Sequence, residues 1–159
     1  MGFDLVRKKA CFSFNYETWW EVITVAVGCG WEPTGTGPPR GVLAKNWPGT
    51  YYSNSGQLLY ARDAKCLADT LENVIAVPGT SSLDFEPSRI SRWLRISEGQ
   101  QSLGERRPFK KLVRLLKSSD SGKETRRPGR SLPWILSDDG RSCLRDFIKF
   151  CRGGSFRMY

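Results

Sequence analysis

The chain has 159 residues and a mass of 18.0 kDa, enough for one domain with a sizeable core. Its 25 Lys+Arg exceed its 16 Asp+Glu by nine, giving a pI near 9.6, a balance that suits an anionic partner without choosing which. The absence of histidine removes the commonest general base, the usual partner of a Ser or Cys nucleophile and the residue that completes most zinc sites.

In chain order, residues 3–6 and 11–14 are short β-favouring runs on either side of Arg7, Lys8, Lys9 and Ala10, which reads as a hairpin. Asn15 is placed to cap a helix with Glu17 and Glu21 in its early turns. Its inward face would hold Trp19, Trp20, Val22, Ile23 and Val27, and Gly28 and Gly30 would end it. Residues 31–55 are rich in Gly, Pro, Thr and aromatics and predict a structured loop. Tyr51 and Tyr52 are expected to form a strand that pairs with residues 57–60 across a turn at 53–56. A helix over about 62–77 follows, with Ala64, Leu67, Ala68, Leu71, Val74 and Ile75 on one face, and Pro78 and Gly79 stop it.

The whole charge surplus falls in residues 89–130, which hold 13 Lys+Arg and 4 Asp+Glu; the rest is balanced at 12 and 12. Within 88–96, Ile90, Trp93 and Leu94 are placed to face inward, with Arg89, Arg92 and Arg95 outward. In 108–117, Phe109, Leu112, Val113 and Leu116 form a second apolar stripe opposed by Lys110, Lys111, Arg114 and Lys117. Residues 118–131 carry no apolar anchor and read as mobile. Trp134, Ile135 and Leu136 re-enter the core. A last helix from Asp138 or Asp139 to Arg152 buries Leu144, Phe147, Ile148 and Cys151, and residues 155–158 close as a strand. The fold class is therefore α+β: a single domain over 1–159, a small and mostly antiparallel sheet flanked by three or more helices, and a basic, partly flexible insertion at 79–133.

Two blocks carry a resemblance. MGFDL at the start, GWEPTGT at 30–36 and YYSNSGQ at 51–57 with DAKCLADTLENVI after it form the first; LRDFIKFCRGGSFRMY at 144–159 is the second. Together they resemble a set of small uncharacterised bacterial proteins with this order of elements. The resemblance spans roughly 1–77 and 140–159 and does not extend over 79–139. The family has no established activity, so the resemblance implies an α+β domain and no chemistry.

No catalytic residue is nominated. Asp4, Glu17, Glu21, Glu32, Asp63, Asp69 and Glu72 are the carboxylate candidates, and none has a spacing that demands pairing. The glycines at 35 and 37 run into two prolines rather than a helix, and Gly122 and Lys123 precede Glu124, so neither dinucleotide nor Walker-type phosphate binding is expected. Cys11, Cys29, Cys66, Cys143 and Cys151 lack CxxC spacing and read as buried, reduced thiols. No metal and no cofactor are expected.

The sequence points to a non-enzymatic interaction module engaging an acidic protein partner, with Arg92, Arg95, Lys110, Lys111, Arg114 and Lys117 as contacts. Non-specific nucleic-acid binding through 89–130 is the alternative, with Trp93 and Phe109 stacking on bases. A third is a small-ligand pocket in the loop 31–57, lined by Trp31, Trp47, Tyr51, Tyr52, Asn54 and Gln57, with Asn46 nearby. The stripe at 109–116 is also a surface on which a homodimer can close. No apolar run is long enough to span a bilayer and no secretory leader is visible, so a cytoplasmic location is expected.

Overall fold

The computed structural model describes residues 2–78, 83–97 and 134–159. In chain order the elements are β1 (Gly2–Arg7), β2 (Ala10–Asn15), α1 (Tyr16–Gly28), β3 (Gln57–Leu59), α2 (Ala61–Ala76), α3 (Pro87–Ser97), α4 (Asp138–Arg152) and β4 (Phe156–Met158), with short 3-10 turns at Ala44–Asn46 and Trp134–Leu136.

Alternation of apolar and polar residues builds the hairpin. Phe3, Leu5 and Phe14 are buried and Phe12 half-buried, while Asp4, Cys11 and Ser13 face solvent. The β1–β2 register runs unbroken from Gly2 opposite Asn15 to Arg7 opposite Ala10, and Lys8 takes the left-handed conformation that the tight connection demands (φ 47°). The sheet order is β2-β1-β4-β3, all antiparallel, so the last strand of the chain lies between the first and third.

Asn15 caps α1 as expected, its Oδ1 accepting from the Thr18 N–H at 2.7 Å. The buried face is broader than the sequence suggested: Thr24, Val25, Ala26 and Gly28 are buried as well as the five expected residues. The reason is position. α1 packs against the hairpin, α2, α3 and the 134–136 turn, so little of it is left to solvent.

α2 and α4 run antiparallel along each other. Arg141, near the start of α4, donates to the Ile75 and Val77 carbonyls (2.9 and 3.0 Å) and so covers the end of α2. At the other end of α4, Arg152 pairs with Asp69 (3.8 Å) and Glu72. Ser137 caps α4 by accepting from the Gly140 N–H at 3.1 Å, with Asp138 and Asp139 in its first turn and Lys149 and Arg152 in its last. The core is aromatic: Phe14, Trp19, Phe147 and Phe156 converge on one another, with Phe147 edge-on to Phe14 at 4.9 Å.

The α+β expectation holds, and three local expectations change. Tyr51 and Tyr52 form no strand. The Trp19 indole N–H takes the Tyr51 carbonyl (2.8 Å) and the Tyr52 N–H goes to Thr50 Oγ1 (3.1 Å), so side chains consume the backbone groups that a ladder would need. β3 pairs instead with β4 and, through Leu58, with Gly37. Trp134 remains 36 % exposed while Ile135 and Leu136 are buried. The five cysteines are free, but only Cys151 is buried; Cys11 and Cys66 are exposed, Cys29 and Cys143 half-buried. Among the described residues no helix is long and apolar enough to cross a membrane.

Candidate functional site

The charge-bearing stretch begins on α3, and α3 is fastened to the C-terminal end of α1. α1 has no basic residue in its last turn to meet its terminal carbonyls. The Val25, Ala26 and Val27 carbonyls accept from Cys29, Trp31 and Gly30, and the last, that of Gly28, is met from the neighbouring segment: the Glu86 N–H and Arg89 Nη1 both donate to it, at 2.9 and 3.2 Å. The Phe85 ring lies so close over Gly28 that a β-carbon there would collide with it. Pro87 opens α3, where a missing N–H costs nothing. Ile90 is fully buried beneath it.

Arg89, first of the thirteen cations, is thereby engaged. Besides Gly28 it pairs with Glu86 (3.2 Å) and Asp84 (3.6 Å). One turn on, Arg92 is exposed. Trp93 is half-buried with its ring 5.3 Å from that of Tyr52, which stacks in turn on Trp20 at 3.7 Å with the planes 9° apart. The far side of the stretch is fastened to the same helix: the 134–136 turn packs on α1, and the Ile135 N–H points to Glu21 Oε2 at 3.4 Å. Arg92 and Arg95 thus lie on α3; Lys110, Lys111, Arg114 and Lys117 lie outside the described residues, as does the 109–116 stripe.

The loop 31–57 is organised around Asp63, a carboxylate 1 % exposed in the first turn of α2. It accepts the Thr34 N–H and hydroxyl (both 3.0 Å) and the Tyr51 hydroxyl (2.6 Å), and its backbone carbonyl accepts the Trp31 indole at 3.3 Å. Tyr51 Oη also accepts the Gly35 N–H at 2.9 Å. Burial, with the Asp63 charge beside it, pushes the Tyr51 phenol well above its usual range.

The nominated pocket residues are therefore mostly interior. Trp31, Tyr51 and Tyr52 belong to the core. Trp47 donates its indole N–H to Thr36 (3.0 Å to the carbonyl oxygen), and Asn54 donates to the Gly2 carbonyl at 3.2 Å. Gln57, with no exposed surface, donates to the Ser53 carbonyl and accepts the Ser55 N–H, closing its own turn. The amides that would orient a ligand hold the loop instead.

The other carboxylate candidates are dispersed. Asp4 accepts the Ser13 hydroxyl at 2.7 Å, Asp69 and Glu72 pair with Arg152, and Glu17 and Glu32 are exposed. Among the described residues no group of three or more Cys, Asp or Glu is placed to hold a metal ion. Cys29, at the end of α1, has its thiol pushed up to about 11 by burial and by Asp84, against an opposing pull from Arg89.

Sequence reasoning missed two residues with defined roles. Asp63 was visible only as one acid among seven, because an acid in the first turn of a helix is ordinarily explained by the helix dipole. Arg141 covers α2 from a helix 66 residues away, and no local pattern announces it. Compared with family models, with curated proteins and with solved structures, the chain finds no match.

Proposed function

We propose that the protein is a non-enzymatic interaction module that engages an acidic protein partner through residues 89–130. The observation that carries this reading is the partition of charge: a body balanced at 12 cations and 12 anions, and a surplus of nine confined to one stretch. Attachment of both flanks of that stretch to α1 supports it, because a body with its own ion pairs then presents the stretch from one place. Arg92 and Arg95 of α3, together with Lys110, Lys111, Arg114 and Lys117, are the contacts assigned to it.

A protein partner is favoured over nucleic acid by Trp93. Its ring is half-buried and packs on Tyr52 at the edge of the aromatic stack, which leaves less of it as a platform for an unpaired base. Clustered cations on a folded support still complement a carboxylate-rich surface.

The test is fluorescence anisotropy of the full chain against an Asp/Glu-rich peptide and against mixed-sequence DNA and RNA of equal charge, at two salt concentrations. The peptide should bind more tightly than either nucleic acid, and Lys110→Glu with Lys111→Glu should abolish its binding. Tighter, steeply salt-dependent DNA or RNA binding would replace the acidic partner with nucleic acid. Peptide affinity unchanged by deletion of 105–117 would overturn the reading.

A further inference from the structure

The two edges of the sheet are treated differently. β3, three residues long, is covered on its outer side: Gly37 and Leu58 exchange backbone hydrogen bonds at 2.7 and 3.0 Å. β2 is six residues long, and among the described residues nothing pairs with its outer side.

Which groups it presents follows from alternation. Asp4 exchanges both backbone bonds with Tyr159, so the even residues of β1 face β4 and the odd ones face β2. Their partners across the hairpin are Ala10, Phe12 and Phe14. The N–H and C=O groups of Cys11 and Ser13 therefore point outward. The usual protections of an edge are missing from 10–15: no proline, no charged side chain, and no bulge in the register.

We propose that β2 is a self-association edge, pairing antiparallel with β2 of a second copy about a two-fold axis at Phe12. In this register Cys11 exchanges hydrogen bonds with the partner's Ser13, and Ser13 with the partner's Cys11. Phe12, half-buried at the margin of the core against Phe14 and Phe147, meets its own counterpart across the axis. The ends match as well. Lys8 and Lys9 are exposed at one end of β2 and Glu17 at the other, so the two-fold sets each lysine turn beside the partner's Glu17. An unrelated strand would gain the backbone bonds but neither the ring pair nor the doubled charge match. The product is an eight-stranded sheet with β3 at both margins. The interface is small, so dissociation in the micromolar range is expected.

Sedimentation velocity on the full chain from about 1 to about 200 µM tests this. Wild type should pass from monomer to dimer. Ser13→Pro removes an outward N–H that no described residue of the monomer takes, along with the exposed hydroxyl bond to Asp4, and should remain monomeric with an unchanged far-UV circular dichroism spectrum. Lys9→Glu should weaken association about five-fold, and adding Glu17→Lys should restore it. Three results would overturn the proposal: a wild type monomeric throughout, a folded Ser13→Pro that still dimerises, or a dimer indifferent to Lys9→Glu. Loss of the dimer on deleting 105–117, with retention in Ser13→Pro, would transfer self-association to that stretch.

Discussion

Tyr51 gives its hydroxyl proton to Asp63 Oδ2 at 2.6 Å while accepting the Gly35 N–H, so one phenol joins the loop 31–57 to α2 from both sides. Among the described residues Asp63 has no cation as a hydrogen-bond partner; its donors there are hydroxyls and a backbone amide.

Tyr51→Phe keeps the ring and its edge contact with Trp31 but removes both hydrogen bonds. A buried carboxylate then loses a donor and the half-buried Gly35 amide loses its acceptor. The expected cost is about 1–3 kcal/mol, or roughly 3–10 °C in Tm, read by thermal denaturation. A shift under one degree would show that water replaces the hydroxyl without loss.

Gly28→Ala should act on α3. The new β-carbon falls on the Phe85 ring, and Phe85 belongs to the segment whose Glu86 and Arg89 complete the end of α1. An overpacking penalty of about 1–3 kcal/mol is expected. Adding Phe85→Ala, which vacates the space, should recover part of it. Trp fluorescence reports the change, because Trp93 rides on α3 against Tyr52.

Stability should fall in alkali. Below pH 9 the Cys29 thiol is protonated in both folded and unfolded chains, and the folded state keeps its full advantage. As pH rises from 9 towards about 11, the unfolded chain gives up that proton while the fold retains it, and stability declines. Tyr51 and Cys151, also raised by burial, extend the decline to higher pH. Tm measured at pH 8, 9.5 and 11 should drop in order, and Cys29→Ala should flatten the first part of the slope.

Thiol labelling should follow exposure. Cys11 and Cys66 should react first with an aromatic disulfide reagent, Cys143 and Cys29 more slowly, and Cys151 only on unfolding. Peptide mapping after timed quenching gives the order. Early modification of Cys151 would show that α4 lifts from the core in the folded state.

The elements with local signatures were legible in the sequence. Asn15 before an apolar run, the inward face of α2 from Ala64 to Val74, and Gly153 after Arg152 each mark a boundary through chemistry within a few residues. What escaped depends on contacts between distant segments. Tyr51 and Tyr52 look like a strand until Trp19, 32 residues away, takes the carbonyl of Tyr51. Trp134 looks like core, yet it stays at the surface while Ile135 and Leu136 beside it are buried. Of the candidate site, the charge partition was plain in composition. The engagement of Arg89 and Trp93 within the body was not, because it depends on where α3 meets α1.

The central place of β4 bears on how the protein is made. β3 follows β1 from the ribosome after some fifty residues, yet neither has its middle neighbour until Phe156, Arg157 and Met158 arrive. The hairpin of β1 and β2 can close early, but the inner side of β1 and the outlying β3 must wait for β4, which follows β3 only after the whole stretch 60–155. Closure of the sheet is therefore deferred until β4 has been made. Loss of Phe156, Arg157 and Met158 would not trim a margin but divide the sheet in two.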